Sequence, residues 1–460
     1  MAPTAVLSLN GVLPAGTVGT AVPLVLVVAS VMVCLVGYGF VLMTREFAHA
    51  GSVYAFAGRT IGPRAGFFAG WAIFASYVCF TAGSTAEVGL FGDAFFDGIG
   101  LGSVDWIVIA LVAGTVMTLL AYNEIRLISR ALLSIEAVAV GFILVLFVVI
   151  LVKLIGHTAP SGQSFSLEPF TLPDSISGVT WSTVFLAAVG GFISFAGFEG
   201  TATLGEESLE PRRTIPRALI VLVLSMAVFF TVGFFIQTLG FGLDKAGVQR
   251  FATSGNSLAD LAQMYVGDAM RDVMSFTAML SAFASASGTA IAASRVLFAM
   301  GRDVLPRSTL GRAGRRTGAP IEAIAVVMTI AFVTFICNRL AGTSAVNAFF
   351  YPATIGVLTI LVAYLCVTVG TLKYFFVGRR VSLWGAVVPL AALVLLVYVL
   401  YKQVHPVPPA PYNRFPYYAA AYLLIGLVLT LAVPGFARRI GARLAREVEE
   451  EANAEPAVTT

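Results

Sequence analysis

The chain has 460 residues, of which only 11% are charged and 58% are hydrophobic, with a mean hydropathy of +0.92. An ordinary soluble domain carries roughly 25% charge and must meet water with its own surface, so a soluble enzyme, a nucleic-acid binder and a disordered chain are excluded. A membrane protein with many helical spans remains, because the apolar stretches are apolar all round and lack the period-two alternation of a barrel strand.

In chain order, a short apolar piece, Ala2–Leu13, comes first and is too short to cross a bilayer alone. Eleven stretches of spanning length follow: 21–43, 65–91, 105–122, 131–152, 181–207, 218–240, 272–299, 320–338, 345–372, 383–402 and 416–436. The connection Leu243–Tyr265 reads as a helical lid on the outer side, and the tail 437–460 is acidic and polar. Neither metal nor cofactor is expected. The four cysteines lie inside apolar runs without ligand spacing, and His49, His157 and His405 are scattered through loops. No GxxxxGK[ST] run for ATP occurs.

Orientation follows from the basic residues. One alternate set of connections, together with the tail, holds 21 of the 28 Lys and Arg residues, including Arg45, Arg59, Arg64, Arg212, Arg213, Arg217 and six arginines from Arg295 to Arg316. That set is read as cytoplasmic, which places the C-terminus inside at the cell membrane. Eleven spans would then put the N-terminus outside, yet no basic leader precedes Ala2. The expectation is a chain that begins within its first helix, giving about twelve helices with the first truncated. A true eleven-span chain and a re-entrant start are the alternatives.

Segment 181–207 is interrupted. Gly190, Gly191, Gly197 and Gly200 punctuate it, and Glu199 lies mid-span. Each glycine weakens a helix by about 1 kcal/mol relative to alanine, and a carboxylate in hydrocarbon costs at least a few kcal/mol. Both are tolerable where the backbone unwinds and lines a polar cavity. An unwound point leaves carbonyls at one half-helix end and N–H groups at the other. Two such breaks facing each other suit a zwitterionic amino acid. The competing reading is a glycine-rich helix packed closely on its neighbours.

Other charged or polar positions are weaker. Glu136 lies six residues beyond Arg130, about 9 Å deeper on a helix, and suits either proton coupling or a structural hydrogen bond. Glu87, in STAEVGLFGD, reads as a rim residue near the outer end of span 65–91, and Tyr77 as ordinary aromatic packing. Ser281, Ser285, Ser287 and Gly288 form a small-residue run whose default role is close helix contact.

The run from Phe195 to Leu219, FAGFEGTATLGEESLEPRRTIPRAL, resembles the signature of the amino acid–polyamine–organocation transporters. There a broken sixth helix ends in Glu-Glu, followed by Pro-Arg-Arg-x-Ile-Pro-Arg in a cytoplasmic loop. Glu206, Glu207, Pro211, Arg212, Arg213, Ile215, Pro216 and Arg217 match it. AGSVYAFAGRTIGP (Ala50–Pro63) is similar to the segment between helices two and three of that family. SRVLFAMGRDVLP (Ser294–Pro306) is similar to the end of its helix eight.

The resemblance implies an all-α, leucine-transporter-like inverted-repeat fold in one transmembrane domain, 1–436. Repeat one covers about 1–155, repeat two about 180–375, and two extra helices 383–436. It implies substrate binding at two helix breaks: Phe195, Ala196, Gly197, Phe198, Glu199 and Gly200 on helix six, and Pro3, Thr4, Ala5 and Val6, with Ala2, on helix one. Helix one would offer N–H groups to the substrate carboxylate, and helix six carbonyls to its amine. It also raises Glu136 and Ser287 as coupling candidates, and makes Glu206 and Glu207 with Arg212 and Arg213 a cytoplasmic latch.

The function implied is secondary active transport of an amino acid or related amine by alternating access, driven by protons or by exchange, rather than catalysis. A polyamine exchanger or an exporter of the same fold is the alternative. A non-transporting truncated paralogue and an intramembrane enzyme are the readings from other classes.

Overall fold

The computed structural model describes residues 2–47, 52–122, 126–172, 179–207, 210–304, 309–312, 314, 319–377 and 383–432, with Gly435, Arg439 and Gly441. Every element found among them is helical. In order these are α1 (Pro3–Leu9), α2 (Val12–Val18), α3 (Val22–Glu46), α4 (Ser52–Thr60), α5 (Pro63–Gly98), α6 (Trp106–Tyr122), α7 (Arg126–Ile155) and α8 (Trp181–Phe195). A 3-10 segment, Phe198–Glu207, follows α8, and then come α9 (Pro211–Phe241), α10 (Lys245–Thr253), α11 (Ser257–Tyr265) and α12 (Asp268–Val304). The last four are α13 (Ile321–Leu340), α14 (Ala345–Thr371), α15 (Val387–Lys402) and α16 (Phe415–Ala432).

Nine stretches are long and apolar enough to cross a membrane, with Trp106–Tyr122 and Val387–Lys402 as shorter apolar helices, among the described residues. Each of the eleven apolar stretches of the sequence overlaps a helix among the described residues, and the piece Ala2–Leu13 covers α1 and the start of α2. Their ends follow local chemistry. Pro63 and Pro211 open α5 and α9, where a missing N–H is harmless. Asp244 caps α10 by accepting from the Gly247 N–H at 2.9 Å, and Asn256 caps α11 by accepting from the Ala259 N–H at 3.1 Å. The connection before α12 is therefore helical, as its sequence suggests.

Helix α5 runs through the centre, packed on α4, α6, α12, α13, α14 and α16. The pairs α3–α9, α5–α12 and α6–α13 are in contact. With α1–α2 counted as one helix and α4, α10 and α11 as connections, each pair joins a helix of the first half to its counterpart in the second. The outward faces are apolar: on α7, Leu144, Val145, Val148 and Val152 are exposed while Ile143, Leu146 and Ile150 are buried. Such a surface is solvated by lipid tails, and water would expel it. The buried threonines Thr44, Thr81, Thr354 and Thr371 each donate to the carbonyl four residues back.

Helix α16 is tied to α5 by a reciprocal pair. The Trp71 indole N–H donates to the Tyr422 carbonyl at 3.0 Å, and the Tyr422 hydroxyl donates to the Trp71 carbonyl at 3.1 Å. Their rings stack with centroids 4.7 Å apart.

The last turn of α1 is held from two sides. Gln237 of α9 donates from Nε2 to the Leu7 carbonyl at 2.9 Å. The Ser257 hydroxyl of α11 lies within 3.1 Å of the Leu7 and Ser8 carbonyls and 2.7 Å from Gln237 Oε1. These carbonyls have no partner within α1, so their neighbours supply the donors.

Candidate functional site

Two helices are interrupted beside one another. Helix α8 stops at Phe195; Ala196 is extended (φ −56°, ψ 134°) and Gly197 has φ +100°. That left-handed conformation strains any side chain-bearing residue, which explains this glycine. Gly190 and Gly191 serve close contact instead: a Cβ at Gly190 would lie 3.2 Å from Pro14, and one at Gly191 2.7 Å from Ala29. The competing close-packing reading thus holds for these two positions, and the unwound reading for Gly197.

After the break the chain resumes as the 3-10 segment. Glu199 is fully buried. Its Oε2 accepts from the Tyr364 hydroxyl of α14 at 2.6 Å and from the Gly197 N–H at 3.1 Å, pinning the turn. Tyr77 of α5 is a second phenol facing this carboxylate, with its hydroxyl outside hydrogen-bond geometry.

The first helix begins alongside. The Thr4 N–H donates to Glu136 Oε1 of α7 at 2.8 Å, and the Ala5 N–H donates to the Ser281 hydroxyl of α12 at 3.1 Å. The Val6 N–H donates to the Ala2 carbonyl. Asn10, at the joint between α1 and α2, donates from Nδ2 to the Ser194 hydroxyl at 3.2 Å. The N–H groups assigned to a substrate carboxylate by resemblance are thus already engaged at Thr4, Ala5 and Val6. Glu136 is one of the groups that engage them.

Between the breaks lies a cavity of about 40 Å³, room for roughly three waters. Ala2, Ala5, Val6 and Asn10 form one wall, and Ile193, Ser194, Ala196 and Gly197 another. Tyr77, Phe80, Ser84 and Glu87 of α5, Ser285 and Thr289 of α12, and Phe349 of α14 complete it. Ser84 donates to Ser285 at 3.3 Å and Thr81 to Thr289 at 3.1 Å across α5 and α12.

Of the positions singled out in the sequence, Ala2, Ala5, Val6, Ala196 and Gly197 face this cavity. Pro3 and Thr4 are buried beside it, and Gly200 lies in the turn that follows. Phe195 packs on Phe230 (centroids 5.5 Å), and Phe198 on Phe40 and Tyr364 (5.4 Å each). These two rings support the break from behind and are absent from its wall.

Ser287 is not among the residues that line the cavity. Ser281, Ser285 and Thr289 recur every four residues and share a face of α12, whereas Ser287 lies about 200° around the helix from Ser285. Glu87 is corrected from the rim to the interior: it is 2% exposed and lines the cavity. Tyr77 is a wall residue as well. Neither carries a sequence signal beyond its polarity in an apolar span. The side chains of Glu206 and Glu207 lie outside the described residues, so the latch has no described geometry. Arg212 and Arg213 are exposed, and Arg213 pairs with Glu210 at 3.8 Å. The tail lies almost wholly outside the described residues.

A multi-pass helical bundle with two helices interrupted around a central cavity defines a membrane transporter. The sequence matches the amino acid permease family over residues 2–445, and the chain belongs to that family. It is 23% identical over 364 residues to the low-affinity putrescine importer PlaP of Escherichia coli (strain K12), across 78% of this chain and 74% of that protein. It is 24% identical over 382 residues to the branched-chain amino acid permease BcaP of Lactococcus lactis subsp. cremoris (78% of each). With the amino-acid permease RocC of Bacillus subtilis it shares 23% over 393 residues, covering 81% and 79%.

Proposed function

We propose that this protein is a secondary active transporter that moves an amino acid or a related amine across the cytoplasmic membrane by alternating access, with its C-terminus in the cytoplasm. The observation that carries this reading is the shared cavity between α1 and the end of α8. The last carbonyls of α8, in the turn holding Ile193 and Ser194, have no partners within the helix. They form the negative end of its dipole, suited to an ammonium group.

The cavity measures about 40 Å³. Substrate entry enlarges it by moving α1 and α8 relative to the α5–α12–α14 scaffold. The drive is a proton gradient or exchange for a second substrate. Repeats at about 1–155 and 180–375 each contribute helices to the moving part and to the scaffold, and the two extra helices lie within 383–436. The PlaP, BcaP and RocC names together span diamines and amino acids, and support that substrate range.

The test is uptake of radiolabelled amino acids and diamines into proteoliposomes holding the purified chain, with and without an imposed pH gradient or internal substrate. Saturable uptake that disappears in Gly197→Trp is the expected result, with insertion unchanged. Absence of uptake and exchange for every compound, or normal transport by Gly197→Trp, overturns the reading.

A further inference from the structure

We infer that Glu87 is a binding site for a second ammonium group on the substrate, so that the cavity selects a diamine or a basic amino acid over a neutral amino acid. This rests on the proposed transport function and deepens it.

Glu87 sits well inside α5, eleven residues before that helix ends at Gly98, or about 16 Å along its axis. It is 2% exposed, and its side chain lines the cavity. Among the described residues, Oε1 has no hydrogen-bond partner. A buried polar oxygen without a partner is uncommon and calls for an explanation. A carboxylate inside a membrane must be met by a cation or a proton.

The wall offers no cation of its own. Its members are apolar residues, the hydroxyls of Ser84, Ser194, Ser285, Thr289 and Tyr77, the Asn10 amide and Glu87. No Lys, Arg or His is among them. The α1 N–H groups that would favour an anion are occupied by Glu136, Ser281 and the Ala2 carbonyl. Glu199 and Glu136 accept from the Gly197 and Thr4 N–H groups, so the wall itself presents one carboxylate, Glu87, and the carbonyl end of α8. Both attract positive charge, and they stand on different helices.

A neutral amino acid satisfies only the α8 carbonyls and leaves Glu87 unmatched. A molecule with a second ammonium satisfies both. Diamines and basic amino acids share this chemistry.

The experiment is equilibrium binding to the purified full chain in detergent or nanodiscs, by calorimetry and ligand-induced thermal shift. The probes are ornithine, putrescine and norvaline, the neutral counterpart of ornithine. Wild type is expected to bind ornithine, putrescine or both at least about tenfold more tightly than norvaline, the scale of a hydrogen bond to a charged group. Which of the two binds separates a basic amino acid from a diamine. Glu87→Gln is expected to erase that preference by weakening ornithine and putrescine binding at least about tenfold more than norvaline binding, and Glu87→Asp to retain it.

Wild type binding norvaline as tightly as the charged compounds overturns the inference and leaves the transport reading standing. Glu87→Gln keeping the preference, or losing norvaline and ornithine binding equally, also overturns it. Wild type binding none of the three overturns both. Should Glu87→Gln fail to fold, the wild-type preference and Glu87→Asp decide the matter.

Discussion

Asn10 donates from Nδ2 to the hydroxyl of Ser194 at 3.2 Å, and this bond joins the two interrupted helices at the cavity wall. Both residues are buried, so the bond is shielded from water. If the helices separate when the cavity opens, the bond breaks in each cycle. Asn10→Ala is expected to lower stability by about 1 kcal/mol and to shift the empty protein toward its open form. Thermal unfolding in detergent reads the first effect. The reactivity of a cysteine placed at Val6 with a membrane-impermeant thiol reagent reads the second.

Gly197 has φ +100°, and a Cβ there would meet no neighbour within 4 Å. The cost of substitution is therefore backbone strain without collision. Gly197→Ala is expected to lose about 1 kcal/mol or somewhat more and to reduce uptake, while remaining folded and inserted. An unchanged melting temperature would show that the turn readjusts freely.

Tyr364 donates to the buried Glu199 carboxylate at 2.6 Å, and the same ring packs against Phe40 and Phe198. Tyr364→Phe keeps the ring and removes the donor, at an expected loss of about 1–3 kcal/mol. The double variant Tyr364→Phe/Glu199→Gln is expected to lose less than the sum of the two singles, because the two changes share one interaction. Strict additivity would mean that the hydroxyl and the carboxylate act independently.

Glu136 accepts the Thr4 N–H at 2.8 Å and anchors the start of α1. Glu136→Gln retains an acceptor oxygen, whereas Glu136→Ala removes it. The expected order of both stability and uptake is wild type, then Gln, then Ala. A pH profile of uptake that is the same in wild type and Glu136→Gln assigns the residue to anchoring; a flattened profile in Glu136→Gln assigns it to proton coupling.

Just ahead of α6, which begins at Trp106, the hydrogen bond from Arg339 holds the Asp105 carboxyl below its usual range. A depressed carboxylate contributes stability above its unfolded pKa and loses it as pH falls through the folded value. The melting-temperature gap between wild type and Asp105→Asn is therefore expected to narrow on acidification from about pH 7 to about pH 3, below the ordinary carboxylate range. The pair is exposed, so the gap is small and shrinks in high salt. A gap independent of pH would remove the ion pair as its cause.

The spans were legible because hydrocarbon demands long apolar runs, and charge, Gly or Pro interrupts them at the ends. The break near Gly197 was legible because glycines and Glu199 coincide in a stretch where both are costly. Glu87 was misplaced for a geometric reason. Apolar character fades near residue 91, but α5 runs on to Gly98, so a residue read as peripheral lies deep inside. The roles of Tyr77, Ser84 and Ser281 depend on which face of each helix turns toward α1. One strand of sequence does not reveal that, although the four-residue spacing of Ser281, Ser285 and Thr289 marks a common polar face.

Ser257 sits on α11, within hydrogen-bond reach of the Leu7 and Ser8 carbonyls of α1 and of Gln237 on α9. A cover fastened in this way cannot flap on its own. To lift α11, the molecule must either break those contacts or drag the end of α1 along, and α1 carries Ala5 and Val6 in the cavity wall. Helix α11 and the cavity wall are thus joined through α1 like two arms of one crank, and a displacement of either strains the other.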